Sequence, residues 1–145
     1  MEMLLKTSPS WAITVVRVTL GVIFFAHGSQ KVLGWFGGYG LKGTTGYFVS
    51  TGLPLSVAYA ICFFEFLGGI GLVFGLLTRL AALAVITVMV GAIVKVHWPN
   101  GLFINWELTA GKGHGFEANL GFIAMALACV IAGGGSLSLD ALLAR

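Results

Sequence analysis

Charge is what this sequence has least of. Lys, Arg, Asp and Glu together make up 9% of its 145 residues, where soluble domains carry about a quarter. A chain so poor in charge has too little polar surface to face water all round, which argues against an ordinary soluble domain. Its eight basic and five acidic residues stand singly rather than in runs. The net charge of +3 therefore supplies neither a nucleic-acid patch nor a polybasic lipid-binding cluster. Cysteine is scarce as well. Cys62 and Cys129 fall inside apolar runs with no CxxC pair, so no disulfide framework is visible and thiol–disulfide exchange has no partner thiol. Both read as small packing residues. Motifs for nucleotide, flavin, nicotinamide or iron–sulfur binding are missing, as are those of soluble nucleophilic enzymes.

What remains is apolar. Hydrophobic residues make up 58% of the chain and its mean hydropathy is +0.99, a membrane composition. Four runs approach the roughly 20 residues that a membrane span needs: Trp11 to Gln30, Pro54 to Leu77, Arg79 to Val96, and Gly115 to Gly133. Proline suits the first turn of the second run, and "GGG" ends the fourth. The expectation is an all-α fold, a four-helix transmembrane bundle forming a single domain over residues 1–145. The N-terminal run has an internal arginine and no small-x-small cleavage site, so it reads as a retained span, with a signal peptide as the alternative.

Only "TR" separates the second and third runs, which implies a tight helical hairpin. The glycine- and aromatic-rich connections "KVLGWFGGYGLKGTTGYFVSTG" and "HWPNGLFINWELTAGKGH" then share the opposite side of the membrane, with Trp and Tyr at headgroup level. Lys6, Arg79 and Arg145 lie on the side of the termini, and Lys31, Lys42, Lys95 and Lys112 on the side of the long loops. With basic residues so evenly divided, the positive-inside rule does not decide which side is cytoplasmic.

Ionisable residues inside such runs are costly, about 2.5–3.5 kcal/mol on insertion scales, and normally face the bundle interior and a partner. Glu65, in "YAICFFEFLGGIGLVFGLL", is one of them. It shares a helical face with Ala58, Cys62, Gly68, Gly69, Leu72 and Gly75, mostly small residues that permit close helix approach. Arg17 shares its face with Thr14, Gly21, Phe24, Gly28 and Lys31. Counted from the long-loop side, the two reach a common depth, so an Arg17–Glu65 pair is expected at mid-membrane. An interhelical lock and a working role are equally good readings of that pair.

A second polar group gathers towards the long loops. His27, Gln30 and Lys31 close the first span, Lys95 and His97 the third, and His114 and Glu117 precede or open the fourth. Glu117 aligns with Gly121, Ala124 and Ala128, and Lys95 with Thr87 and Gly91. Both stripes are small, so both are expected to face inward. For Lys31 and Lys95 the ordinary alternative is snorkelling to the interface, and His114 in "GKGHG" reads as a loop residue. The expected result is a polar funnel with His27, Lys95, His97 and Glu117 at its mouth and Glu65 and Arg17 at its floor. It would suit a small ligand with an apolar body and polar ends, such as a quinone head group. Haem between His27 and His97 ranks below this because no HxxxH or CxxCH motif is present, and a protein-bound metal ranks lower still.

The stretches "RVTLGVIFFAHGSQKVLG", "FEFLGGIGLVFGLLTRLAAL" and "KVHWPNGLF", followed by a glutamate opening the last run, together resemble the DoxX family of small bacterial four-helix membrane proteins, over roughly residues 11–135. The family's recurring polar positions correspond to Arg17, His27, Gly28, Lys31, Glu65, Gly68, Arg79, His97 and Glu117. The resemblance implies a multi-pass protein of the bacterial plasma membrane linked to quinone-dependent oxidoreductases. The expectation is thus an oxidoreductase-associated subunit. Glu65, Arg17, His27 and Glu117 are its candidate catalytic residues, and His97, Lys95 and Lys31 its candidate ligand-binding residues. Its expected partners are the lipid bilayer, a redox protein or soluble electron donor, and a second copy of itself, with no nucleic acid. The alternatives are a non-enzymatic scaffold that docks a partner and, ranked lower, a small-solute transporter.

Overall fold

A computed structural model describes residues 2–144, with side chains from Leu4 onward; Arg145 lies outside the described residues. Five helices carry the architecture: α1 (Trp11–Val32), α2 (Gly40–Ser50), α3 (Leu55–Phe74), α4 (Thr78–Ala92) and α5 (Glu117–Ala132). Among the described residues there is no strand. Ser10 caps α1 by accepting the Ile13 amide at 3.3 Å, and α3 follows Pro54 and ends at Gly75. Beyond Ala92 the helix widens into a π-helical turn over Ile93–His97 and then tightens over Trp98–Asn100. The resulting rod, Thr78–Asn100, is continuous for 23 residues.

α1 packs most extensively on α3, α3 on α4, α4 on α5, and α5 returns to α1, which closes a ring. Leu20, Phe24, Leu72, Ala82, Val85, Val88, Met89, Ala126 and Cys129 form its core. Phe24 and Phe122 meet there edge to face at 5.6 Å. Outside the ring the apolar side chains stay exposed, among them Val15, Val22, Leu67, Leu83, Val90 and Leu127. A lipid environment makes that outer surface favourable. α1, α3 and the α4 rod are long and apolar enough to cross a membrane. The fourth expected span is shorter: α5 has 16 residues, about 24 Å of helix against a hydrocarbon core of about 30 Å.

α2 falls inside a segment expected to be a connection. Its glycines and threonines are weak helix formers, but Thr44 and Thr45 are buried and the helix lies against α1 and α3. Packing here overrides local propensity.

The α1–α3 contact depends on glycine. A Cβ at Gly28 would overlap the backbone of Phe66, and one at Gly69 the backbone of Phe25, while one at Gly21 would stand 2.6 Å from Val73 N. Gly28→Ala is therefore expected to cost about 1–3 kcal/mol through overpacking. Gly121→Ala, where an added Cβ meets nothing within 4 Å, should change stability little. Thermal unfolding of the two variants in detergent separates them, and equal melting temperatures would refute the close approach.

These contacts also set the axial register, and the register corrects the expected ion pair. Gly28 lies against Phe66 and Glu65, and Gly21 against Val73, so Glu65 stands level with the end of α1. Arg17 lies about 16 Å further along that helix. Glu65 pairs instead with Lys31, at 2.5 Å. The sequence count assumed that Pro54 and Ser29 begin at one level. In the fold, α3 projects past the end of α1 by roughly two turns, and that projection packs on α2.

Arg17 is 1% exposed and belongs to a knot at the opposite end. Its guanidinium donates to the Leu72 and Val73 carbonyls at the end of α3 and to Gly134 and Leu137 beyond α5. Asp140, also 1% exposed, accepts the Leu77 and Thr78 amides at 2.7 and 2.8 Å. That arrangement caps α4 and holds Leu77 at a left-handed φ of 48°. Arg79 donates to Val130 and Ile131 at the end of α5 and to Lys6. Cations thus sit on helix C-termini and an anion on an N-terminus, as the helix dipole favours.

Candidate functional site

At the end of the bundle away from this knot, the helices line a cavity of about 1120 Å³. α1 contributes Phe24, His27 and Lys31; α2 and the turn after it, Tyr47, Phe48 and Thr51; α3, Ile61, Phe64 and Glu65. The α4 rod adds Thr87, Met89, Gly91, Lys95 and His97, and α5 adds Ala118, Asn119 and Phe122. The 101–116 connection, which supplies Ile104, Trp106 and His114, is stitched over the mouth. Gly115 and Phe116 donate to the Phe103 and Gly101 carbonyls, and Glu117 to that of Leu102. Within it the buried Asn105 side chain donates to the Thr109 and Lys112 carbonyls and accepts the Thr109 amide.

Five of the seven residues expected at a site line this cavity: His27, Lys31, Glu65, Lys95 and His97. The other two do not. Arg17 is in the distant knot. Glu117 is half-buried at the start of α5, and its stripe mates Gly121 and Ala124 are exposed on the outer surface. The inward face of α5 is instead Asn119, Phe122, Ala126 and Cys129. A helix apolar all round gives no reliable signal of which side turns inward, and small residues alone misidentify it here. The Thr87–Gly91–Lys95 stripe does face the cavity.

Lys31 Nζ and Glu65 Oε2 form the ion pair in this wall, with side chains 20% and 6% exposed. Among the described residues it is the one salt bridge. The pair bridges the last turn of α1 to mid-α3, and the close approach at Gly28 permits it. His97 is held by its ring: Nδ1 lies 2.8 Å from the His114 carbonyl. A carbonyl only accepts, so Nδ1 carries the proton and the neutral ring keeps its lone pair on Nε2. The π-helical turn that bears Lys95 and His97 is the kind of local widening that recurs at functional sites.

Asn119 is a wall residue that pattern reading of the sequence misses. It is 6% exposed, and its amide donates to the Met89 sulfur at 3.3 Å, a weak acceptor. Its signal was available, as an amide four residues into a predicted span. It was masked by Glu117, the stronger polar residue nearby, on a different face. Among the described residues no three of His, Cys, Asp and Glu gather into a metal-binding group.

The sequence profile of the DoxX family matches residues 12–98. The match takes in α1 to the end of the α4 rod's π-helical turn, with every expected site residue except Glu117. A Bacillus subtilis (strain 168) protein named "Putative oxidoreductase CatD" is 39% identical over 82 residues, a stretch covering 57% of this chain and 57% of that protein. The chain thus matches little more than half of the relative's length. No solved structure matches.

Proposed function

The chain belongs to the DoxX family, and on that premise we propose that it is an oxidoreductase-associated protein of the bacterial plasma membrane that binds a quinone-like ligand in the cavity between α1, α3, α4 and α5. The cavity itself carries the reading. At about 1120 Å³ it is slightly larger than the usual small-molecule pocket of about 300–1,000 Å³, and such pockets are mainly apolar with a few converging polar groups. Phe24, Phe48, Ile61, Phe64, Val88 and Phe122 would enclose a planar ring, and Lys31, Glu65, Lys95, His97 and Asn119 would meet its polar atoms.

When bound, a quinone supplies a two-electron, two-proton couple. The protein's part is to place and move protons. Lys31 Nζ donates to Glu65 Oε2 at 2.5 Å, and its remaining N–H groups can donate a hydrogen bond to a ligand oxygen while Oε2 retains the charge balance. Nε2 of His97 accepts a proton while Nδ1 stays fixed on the His114 carbonyl. His27, on α1, offers a second imidazole to the cavity. Electrons come from a partner protein or soluble donor. Arg17 and Glu117 have no ligand contact in this reading.

Gly91 provides the test. It lines the cavity, and a Cβ there meets nothing within 4 Å, so Gly91→Phe would fill the site without touching backbone. Native mass spectrometry and absorbance titration of detergent-purified protein with a short-chain quinone should show one adduct per chain in wild type and at least tenfold weaker binding in Gly91→Phe. An unliganded wild-type mass at saturating quinone would overturn the proposal and favour a scaffold that docks a partner.

A further inference from the structure

The charges that line the cavity do not balance. Lys31 and Glu65 neutralise one another, which leaves Lys95 on the wall with no ion pair among the described residues. Glu107 and Glu117, the other acids at this end of the chain, do not line the cavity. His27, His97 and His114 do. The site therefore carries one uncompensated cation against apolar walls that include Phe24, Val88 and Phe122.

A lysine in the last turn of a membrane helix ordinarily extends outward to the headgroups. Lys95 is exposed but lines the cavity beside Thr87 and Gly91. Gly91 has no atom within 4 Å of its Cβ position, so nothing blocks the space beside the lysine. An unpaired ammonium on the wall of a mainly apolar cavity favours a ligand that brings the opposite charge. Asn119 supplies a second requirement. Its amide spends one N–H on a thioether and has further hydrogen-bonding capacity. Met89, its partner, is six residues from Lys95, about 9 Å along the helix.

Resting on the reading of this cavity as a ligand site, we infer that its ligand is an amphiphile bearing an anionic oxygen, an ionised enol, phenol or carboxylate on an apolar body. Lys95 is the counter-ion. A neutral polar group elsewhere on the same ligand meets Asn119. The Lys31–Glu65 pair is already neutral and adds no net selection for charge.

The experiment compares a hydroxynaphthoquinone, whose enolic hydroxyl is ionised at neutral pH, with its uncharged methyl ether. Calorimetric titration into the detergent-purified protein at low salt reads both affinities. Wild type should bind the ionised compound at least about tenfold more tightly, a difference of about 1.4 kcal/mol. Lys95→Met should bring the two affinities to within about twofold, and Lys95→Arg, which keeps the charge, should preserve the preference. Equal wild-type affinities, or a preference that survives Lys95→Met, would overturn the inference while leaving the cavity as a ligand site. Failure of both compounds to bind would overturn the inference together with the reading on which it rests.

Discussion

Arg17→Met is expected to destabilise the detergent-solubilised protein by about 3–5 kcal/mol through the loss of several buried charge-assisted hydrogen bonds, and so to remove most folded material from expression. Four backbone carbonyls lose a charged donor: Leu72 and Val73 at the end of α3, and Gly134 and Leu137 after α5. Bonds of this kind each contribute about 1.5–3 kcal/mol, and their joint loss is less than additive. Asp140, wholly buried in the same knot, also loses the nearby cation. Lys should not rescue. An ammonium on a flexible stem lacks the planar fork that reaches carbonyls on two sides at once. Thermal unfolding followed by size-exclusion chromatography reads the effect. A stable Arg17→Met protein with lost ligand binding would contradict this account and return Arg17 to a role in the site.

Lys31→Met is expected to have the second largest effect, because it leaves the Glu65 carboxylate, 6% exposed, without its cation. The cost should be about 3 kcal/mol, at the low end for a broken buried pair since Lys31 keeps some contact with solvent. Glu65→Gln should cost less, as the partly exposed lysine can be rehydrated. The double variant should be more stable than Lys31→Met alone, with a coupling of about 1–3 kcal/mol. Arg17 and Glu65 variants should combine additively to within about 0.5 kcal/mol, since residues more than about 10 Å apart with no shared partner do not couple. Denaturant unfolding of the two cycles decides between the pairings. Strong coupling of Arg17 to Glu65 and none of Lys31 would reverse the register given by the α1–α3 glycines.

The contrast between these two pairings marks the limit of pattern reading. The faces on α1 and α3 were correct: Thr14, Arg17, Gly21, Phe24 and Gly28 are buried on one, and Ala58, Cys62, Glu65, Gly68, Gly69 and Leu72 on the other. Helical periodicity reports rotation about an axis and carries no information on depth. Depth is set where Gly28 and Gly69 let two backbones touch, and by a helix, α2, that supports the projecting start of α3. Lys31, expected to serve the ligand or the interface, is for this reason the partner of Glu65. On α5 even the rotation failed, because both faces are apolar and the packed one carries Phe122 beside the small residues. The functions of Arg17, Arg79 and Asp140 depend on contacts between segments up to 128 residues apart, such as the Thr7–Gly135 hydrogen bonds that close the same end.

The sequence by itself determined that the chain is a helical membrane protein, since 9% charge cannot support a soluble surface. It also determined where the tight hairpin and the long connections fall, which polar residues are too costly to stand in lipid, and the family, through residues within α1, α3 and α4. Only the tertiary structure decided which of those polar residues meet. It separated a structural knot at one end from a cavity at the other, because glycine contacts fix helix depth and a π-helical turn fixes where Lys95 and His97 lie. Both are properties of packed backbones that a one-dimensional pattern does not encode.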